Sequence, residues 1–138
     1  MASHKAIVAG LQGLTPDIPV LSEESAKFRY EERAGWQTYW LIDPLDGTVN
    51  YAHGIPIYSV SIAYAEDGEL RLGVVYDPMR DECFKAEHGQ GAWLNDVPIR
   101  PSDEQELDQS LLTTGFNYDI RINPENNLDH YAHFALKT

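Results

Sequence analysis

The sequence predicts an α+β fold in which an antiparallel sheet is flanked by helices. Strand signals dominate residues 59–99, where short apolar stretches follow one another between Asp-Gly, Asp-Pro and Asn-Asp turns. Helix signals lie toward the two ends, at residues 2–12 and 126–136. The chain has 138 residues, of which 43% are hydrophobic and 11% aromatic, and this is enough to form the core of one folded domain.

The first third of the chain leads up to a buried strand. Residues 2–12 predict an amphipathic helix that ends near residues 13–16, where Gly and Pro stop it. Residues 19–21 predict a short strand that is followed by two consecutive acids. Residues 26–38 are polar and predict a connection, and the apolar residues 39–42 then predict a second strand, which is buried.

The rest of the chain predicts an antiparallel meander and a final helix. Residues 59–65 alternate with the two-residue period of a strand, and residues 70–76 return as its hairpin partner after an Asp-Gly turn. The acidic residues 101–109 predict a solvated surface segment. Four further strands and one helix are expected, in chain order, at residues 82–86, 92–94, 97–99, 110–116 and 126–136.

These elements are organised around residues 40–51, because this stretch places two acids directly after the buried strand. Asp43 and Asp46 flank Pro44, which fixes φ and favours a bend. The two carboxylates and the carbonyl of Leu45 between them can therefore face one point. Oxygen ligands of this kind suit a hard cation such as Mg²⁺.

Gly47 and Thr48 follow the second acid at once. Gly47 permits close approach of the backbone to a ligand, and Thr48 predicts the cap of a helix that begins there. Because N–H groups at a helix start attract phosphate, a metal site and an anion site are expected side by side. A purely structural interpretation stays open at this point, since Asp-Pro and Asp-Gly are ordinary turn dipeptides.

Charge and cysteine content argue against several function classes. The net charge of −12 argues against binding to nucleic acid or to anionic membrane surfaces, and it means that a phosphate substrate requires cations. Cys83 is the only cysteine, so no intrachain disulfide is expected and a reducing compartment is favoured. Neither a signal peptide nor a membrane span is recognisable, and cytoplasmic localisation is the default expectation.

Residues 43–51 resemble the signature of the inositol monophosphatase family of Mg²⁺-dependent, lithium-sensitive phosphatases, in the run Asp-Pro-Leu-Asp-Gly-Thr-Val-Asn-Tyr. Residues 19–25, 73–78 and 89–92 agree with the same family. The resemblance implies a layered α/β sugar-phosphatase-like fold. Residues 1–138 would form its N-terminal half, as an incomplete domain whose C-terminal part lies outside this chain.

The resemblance also implies a role for each site residue. The expected ligands of Mg²⁺ are Glu24, Asp43, the Leu45 carbonyl and Asp46. Glu23 is expected to contact these ligands without binding the metal itself. An isolated Glu-Glu pair in a sequence is usually only a solvated turn. Glu24 and the Thr48 hydroxyl are expected to orient the attacking water. The N–H groups of Gly47 and Thr48 are expected to bind the substrate phosphate.

Three hypotheses of function stay open. The first is the N-terminal piece of a Mg²⁺-dependent phosphomonoesterase that hydrolyses inositol monophosphate or a related small sugar phosphate, as a monomer or a homodimer. The second is a 3′(2′),5′-bisphosphate nucleotidase, which residues 14–24 also resemble, whereas residues 49–51 favour the first. The third is a metal- or partner-binding protein without turnover, because the family takes a further aspartate ligand from a downstream Trp-Asp motif that lies outside this chain.

Overall fold

The computed structural model of the protein describes residues 2–25, 30–117 and 119–137, apart from the side chains of residues 25, 30 and 31. The chain forms two compact units, the sheet unit Met1–Arg100 and the C-terminal unit Pro101–Thr138. Within the described residues, no helix is both long and apolar enough to cross a membrane.

The sheet unit contains three helices, one 3-10 turn and seven strands. The helices are α1 (Ala2–Leu14), α2 (Tyr30–Arg33) and α3 (Thr48–Ala52), and the 3-10 turn is Glu23–Ser25. The strands are β1 (Val20–Ser22), β2 (Thr38–Asp46), β3 (Ser59–Glu66), β4 (Glu69–Asp77), β5 (Glu82–Glu87), β6 (Gly91–Leu94) and β7 (Val97–Ile99).

The seven strands form one sheet in chain order, which confirms the predicted α+β class. Strand β1 runs parallel to β2, with Ser22 opposite Ile42, and every later pair is antiparallel. Because parallel strands end at the same edge of a sheet, the turn after β1 lies beside the C-terminal part of β2. The register therefore brings the Glu23–Ser25 turn next to Asp43.

The hairpins form where the turn residues predict them. Asp67 and Gly68 join β3 to β4 with positive φ angles of 52° and 79°. Asn95 and Asp96 join β6 to β7 with φ angles of 46° and 68°. Two consecutive residues with positive φ are the requirement of a type I′ turn, whose twist matches that of the flanking strands.

Helix α1 packs on the first two strands and ends within a residue or two of its predicted end. At its C-terminal side, the indole N–H of Trp40 on β2 donates to Thr15 Oγ1 at 2.9 Å, and the Thr15 hydroxyl donates to the Leu11 carbonyl at 2.9 Å. The most deeply buried apolar residues lie nearby in the sheet, with Ile42 at 2% and Ala65 at 1% exposure.

Two predicted elements are wrong. No strand forms at residues 110–116 among the described residues, and the exposed fraction of Leu111 there is 95%. An apolar run becomes a strand only where a neighbour supplies hydrogen bonds, and here no described strand pairs with it. The polar connection predicted at residues 26–38 contains α2 and the start of β2, while residues 26–29 lie outside the described residues.

The C-terminal unit contains a 3-10 turn, Leu107–Gln109, and helix α4, Leu128–Ala135. Helix α4 lies within the range predicted for it, and residues 101–109 are exposed as expected.

Candidate metal and phosphate site

The two acids of the central motif lie on a single strand with a bulge, not on either side of a turn. Asp43 pairs with Ser61 and Asp46 pairs with Ser59, so three steps along β2 oppose two steps along β3. The extra residue in β2 is a β-bulge. Pro44 explains its position, because proline has no N–H for the ladder and is tolerated in a sheet at such irregularities. The predicted Pro turn is therefore a bulge within β2.

A β-bulge between the two acids allows both of them to lie on one side of the strand. In a regular strand, residues three apart point to opposite faces of the sheet. One inserted residue restores the alternation, so that Asp43 and Asp46 can point to the same side. The charges of both carboxylates act on the side chain of Glu23.

Glu23 lies against Asp43. The charge of Asp43 is the main cause that raises the pKa of Glu23, followed by partial desolvation and by a side-chain hydrogen bond to Asp43. Glu24 and Asp46 raise this pKa further through their charges. A carboxyl pKa that is raised by neighbouring acids indicates that negative charges lie close together and that nearby positive charge does not cancel their repulsion.

These residues are of the type that a hard cation prefers, because three carboxylates lie close enough to Glu23 for their charges to act on it. Among the described residues, however, no three Asp, Glu, His or Cys side chains meet closely enough to form a finished metal site. Carboxylates of like charge repel one another, which disfavours a closer approach in the absence of a cation. The assignment of these acids to a metal site stays a prediction.

The backbone between the acids is fixed by two hydrogen bonds at Leu45. The Leu45 N–H donates to Asp43 Oδ1 at 3.0 Å, and the Thr48 hydroxyl donates to the Leu45 carbonyl at 3.0 Å. The first bond engages only one of the two carboxylate oxygens of Asp43. The second uses the only proton of the Thr48 hydroxyl and leaves its oxygen as an acceptor.

Gly47, and not Thr48, occupies the N-cap position of α3, so the predicted cap is wrong by one residue. Gly47 has φ +90° and ψ 34°, a left-handed conformation that residues other than glycine rarely adopt. A Cβ at this position would lie 2.9 Å from the Ile57 carbonyl oxygen. Thr48 becomes the first helical residue, and its side chain bonds backward to Leu45 instead of capping the helix.

A cavity of about 520 Å³ opens beside the acids. Its lining includes Glu23, Asp43 and Arg33 from α2. Sequence reasoning missed Arg33, because it lies in a polar stretch with no motif of its own. The only signal in the sequence is its short distance from the Glu-Glu pair.

Of the residues predicted for the site, the structure places Glu23 and Asp43 in the wall of one cavity, and Asp46 acts on Glu23 through its charge. The Thr48 hydroxyl donates to the Leu45 carbonyl. Glu24 is exposed, and its backbone N–H donates to Ser22 Oγ at 3.3 Å. Its charge reaches Glu23 more weakly than that of Asp43 does. The division of roles between the two glutamates remains a prediction.

In a comparison with known protein families, the model of the inositol monophosphatase family matches residues 1–137 of the chain. A curated relative from Pseudomonas aeruginosa, named Nus factor SuhB, is 42% identical over 130 residues, which are 94% of this chain and 47% of the relative. A relative from Thermotoga maritima, named fructose-1,6-bisphosphatase/inositol-1-monophosphatase, is 38% identical over 118 residues, which are 86% of this chain and 44% of the relative.

The solved structures agree with the sequence comparisons. The inositol monophosphatase of Anabaena (Nostoc) sp. superposes with a TM-score of 0.87 at 39% identity, over 99% of this chain and 51% of that chain. The chain thus spans about half the length of the proteins that it matches.

We expect Gly47→Ala to destabilise the sheet unit by roughly 2–4 kcal/mol, because alanine at this position adds a collision with Ile57 to the cost of a positive φ. Gly68→Ala is the matched control. Gly68 has a similar φ of +79°, but an alanine methyl group there would have no heavy atom within 4 Å, so a loss of only about 1 kcal/mol is expected. Urea unfolding of both variants measures the difference in the free energy of unfolding. Equal losses of stability would show that the collision with Ile57 does not contribute.

We expect Asp43→Asn to stabilise the metal-free protein by roughly 0.5 kcal/mol, the size of an exposed charge–charge interaction. The substitution removes the repulsion on Glu23 and keeps an oxygen that accepts the Leu45 N–H. Asp103→Asn, in an exposed segment of the C-terminal unit, is the control for the loss of one negative charge. Thermal unfolding with a chelator present measures both, and a less stable Asp43→Asn variant would contradict the repulsion.

Proposed function

This chain belongs to the inositol monophosphatase family, and from that membership we propose that it forms the Mg²⁺-binding part of a phosphomonoesterase. The proposed substrate is inositol monophosphate or a related small sugar phosphate, and the proposed setting is the cytoplasm. The observation that carries the proposal is that Glu23 and Asp43 line one cavity, where the charges of Asp43, Glu24 and Asp46 all act on Glu23. A carboxyl whose pKa is raised by neighbouring acids, beside an open cavity, is typical of a functional site.

The residues proposed to hold Mg²⁺ are Glu23 or Glu24, Asp43, the Leu45 carbonyl and Asp46. When bound, Mg²⁺ lowers the pKa of a coordinated water and offsets the charge that develops on the phosphoryl oxygens. The chain's contribution is to supply hard oxygen ligands and to fix their backbone. Asp43 and Leu45 are linked by the hydrogen bond at 3.0 Å, so that a side-chain ligand and a main-chain ligand are oriented together.

Thr48 is proposed to orient the attacking water. Its proton is held by the Leu45 carbonyl, and the hydroxyl oxygen is therefore available only as an acceptor. A water that donates one proton to Thr48 Oγ1 has a lone pair left for phosphorus. A neighbouring glutamate carboxylate can accept the second proton. The N–H groups of Gly47 and Thr48 are proposed to bind the phosphate beside this water, in support of the carboxylate–metal site.

Only one of the two glutamates can face Asp43. Successive residues of a 3-10 helix are about 120° apart around its axis, so the side chains of Glu23 and Glu24 point in different directions. Because Glu23 lines the cavity together with Asp43, whereas Glu24 is not among the lining residues, we assign to Glu23 the position of a direct ligand. Glu24, which the family resemblance assigned to that position, is then left to act on the water.

We expect Glu23→Gln and Asp43→Asn each to weaken Mg²⁺ binding at least tenfold, and Glu24→Gln to weaken it less. Each substitution removes one negative charge at nearly constant volume, so the three variants differ only in position. Calorimetric titration of Mg²⁺ into the three variants and the parent chain gives the comparison. Unaltered affinity in Asp43→Asn would refute the metal site, and a larger loss in Glu24→Gln would return the direct ligand to Glu24.

A second candidate function is the hydrolysis of a 3′(2′),5′-bisphosphate nucleotide. Two observations favour it: the resemblance of residues 14–24 to that group of enzymes and the presence of Arg33 in the wall of the cavity. A guanidinium beside a cluster of acids is suited to a second phosphate that the metal does not hold.

A third candidate is binding without turnover. The relative from Pseudomonas aeruginosa bears the name Nus factor and not that of a phosphatase, although it is 42% identical. The proteins compared are about twice as long as this chain, so about half of each of them corresponds to nothing in it. Metal binding with no phosphate release would favour this candidate.

We expect Mg²⁺-dependent release of phosphate from inositol 1-phosphate, inhibited by lithium, by a protein in which this site is complete. The assay is run first on the chain itself and then on a full-length relative, each with a 3′,5′-bisphosphate nucleotide as the second substrate. Asp43→Asn is the inactive control. Preference for the nucleotide would favour the second candidate, and absence of turnover in the full-length protein would contradict the proposed phosphatase.

A further inference from the structure

We propose that Ser3 and His4, at the start of α1, are positioning residues that lock the acid-bearing ends of β1 and β2 against each other. The inference rests on the proposed function, because it concerns how the acids of that same site are held. Its basis is that two consecutive helical residues each form a hydrogen bond to a different strand, in both cases within two residues of a candidate metal ligand.

Ser3 holds the bulge of β2. Its hydroxyl donates to the Pro44 carbonyl at 2.8 Å, and Pro44 is among the most deeply buried side chains of the described residues. A bulge interrupts the ladder, so a buried carbonyl within it needs a partner from elsewhere in the fold. Ser3 supplies that partner between Asp43 and Leu45, and it thereby fixes the backbone from which both candidate ligands project.

His4 holds the end of β1. Its Nδ1 lies 3.0 Å from Ser22 Oγ, and Ser22 is only 3% exposed. The same Oγ accepts the N–H of Glu24 at 3.3 Å. A serine hydroxyl has one proton and two acceptor positions, so it can donate to Nδ1 while it accepts from Glu24. This relay connects α1 to the turn that carries Glu23 and Glu24.

The lock matters because the acids push the two strand ends apart. Strand β1 is only three residues long, so its pairing with β2 is a short anchor against that repulsion. Neighbouring Cα atoms are separated by a constant distance of about 3.8 Å, and Ser3 and His4 therefore set the spacing of the two ends. Without the lock, the acids can move apart, and their affinity for a divalent cation falls.

Amide hydrogen exchange in the metal-free chain tests the lock directly. The reporters are the N–H of Glu24, which bonds Ser22, and the N–H of Leu45, which bonds Asp43. We expect His4→Ala to speed exchange at Glu24 and Ser3→Ala to speed it at Leu45, each about fivefold or more. His4→Asn and Ser3→Thr retain a polar atom in place, and they should restore slow exchange.

Thr15→Val is the matched control. It removes the hydrogen bonds that the Thr15 side chain makes with Trp40 and with the Leu11 carbonyl, just after the end of α1 that lies away from the acids, and it hardly changes the size of the side chain. We expect it to lower the unfolding temperature as much as Ser3→Ala does, while exchange at Glu24 and Leu45 stays at the parent's rate. This separates a loss of local orientation from a general loss of stability.

Mg²⁺ titration of the same variants completes the test. The dissociation constant should rise roughly tenfold in His4→Ala and in Ser3→Ala, recover in the two conservative variants and stay unchanged in Thr15→Val. If the Glu24 and Leu45 amides exchange in His4→Ala and Ser3→Ala at the same rate as in Thr15→Val, the lock is overturned, whatever the Mg²⁺ result. Faster exchange in a chain that binds no Mg²⁺ would support the lock and refute the metal site of the proposed function.

Discussion

Repulsion between carboxylates is the constraint that the rest of the sheet unit has to satisfy. Parallel pairing of β1 with β2 brings the Glu23 turn against Asp43, and the charge of Asp43 raises the pKa of Glu23. Such a contact is unfavourable for folding, and it persists because the sheet fixes the backbone on both sides. Residues that work against stability in this way are expected where a binding requirement has determined the sequence.

Each departure from regular structure near the acids serves their orientation. The bulge at Pro44 allows Asp46 to lie on the side of Asp43, and the left-handed Gly47 then starts α3 directly after the second acid. The hydroxyl of Thr48 ties this helix start back to the Leu45 carbonyl. The meander from β3 to β7 is regular by comparison, and its contribution is a rigid partner for β2.

The sequence predicted those parts of the fold that depend on local chemistry. Asp67 with Gly68 and Asn95 with Asp96 can adopt positive φ, so both hairpins were predictable from their turn residues. The bulge was not predictable in the same way, since Pro44 is equally compatible with a turn, and only the register with Ser59 and Ser61 distinguishes the two. Likewise, two adjacent glutamates give no sign of which one faces Asp43, because that depends on the rotation of the 3-10 turn.

The overall charge connects this geometry to the chemistry proposed for it. The chain has 22 acidic and 10 basic residues, so its field repels a phosphate ester approaching the site. In the proposed reaction, a divalent cation bound by the cluster around Asp43 would remove this repulsion at the proposed phosphate position. Binding of the cation and of the phosphate would then be linked, each raising the affinity for the other by the same factor. An acidic surface around such a site disfavours the binding of anions that arrive without the metal. The charge of one guanidinium, that of Arg33, is too small to offset the net negative charge of the chain.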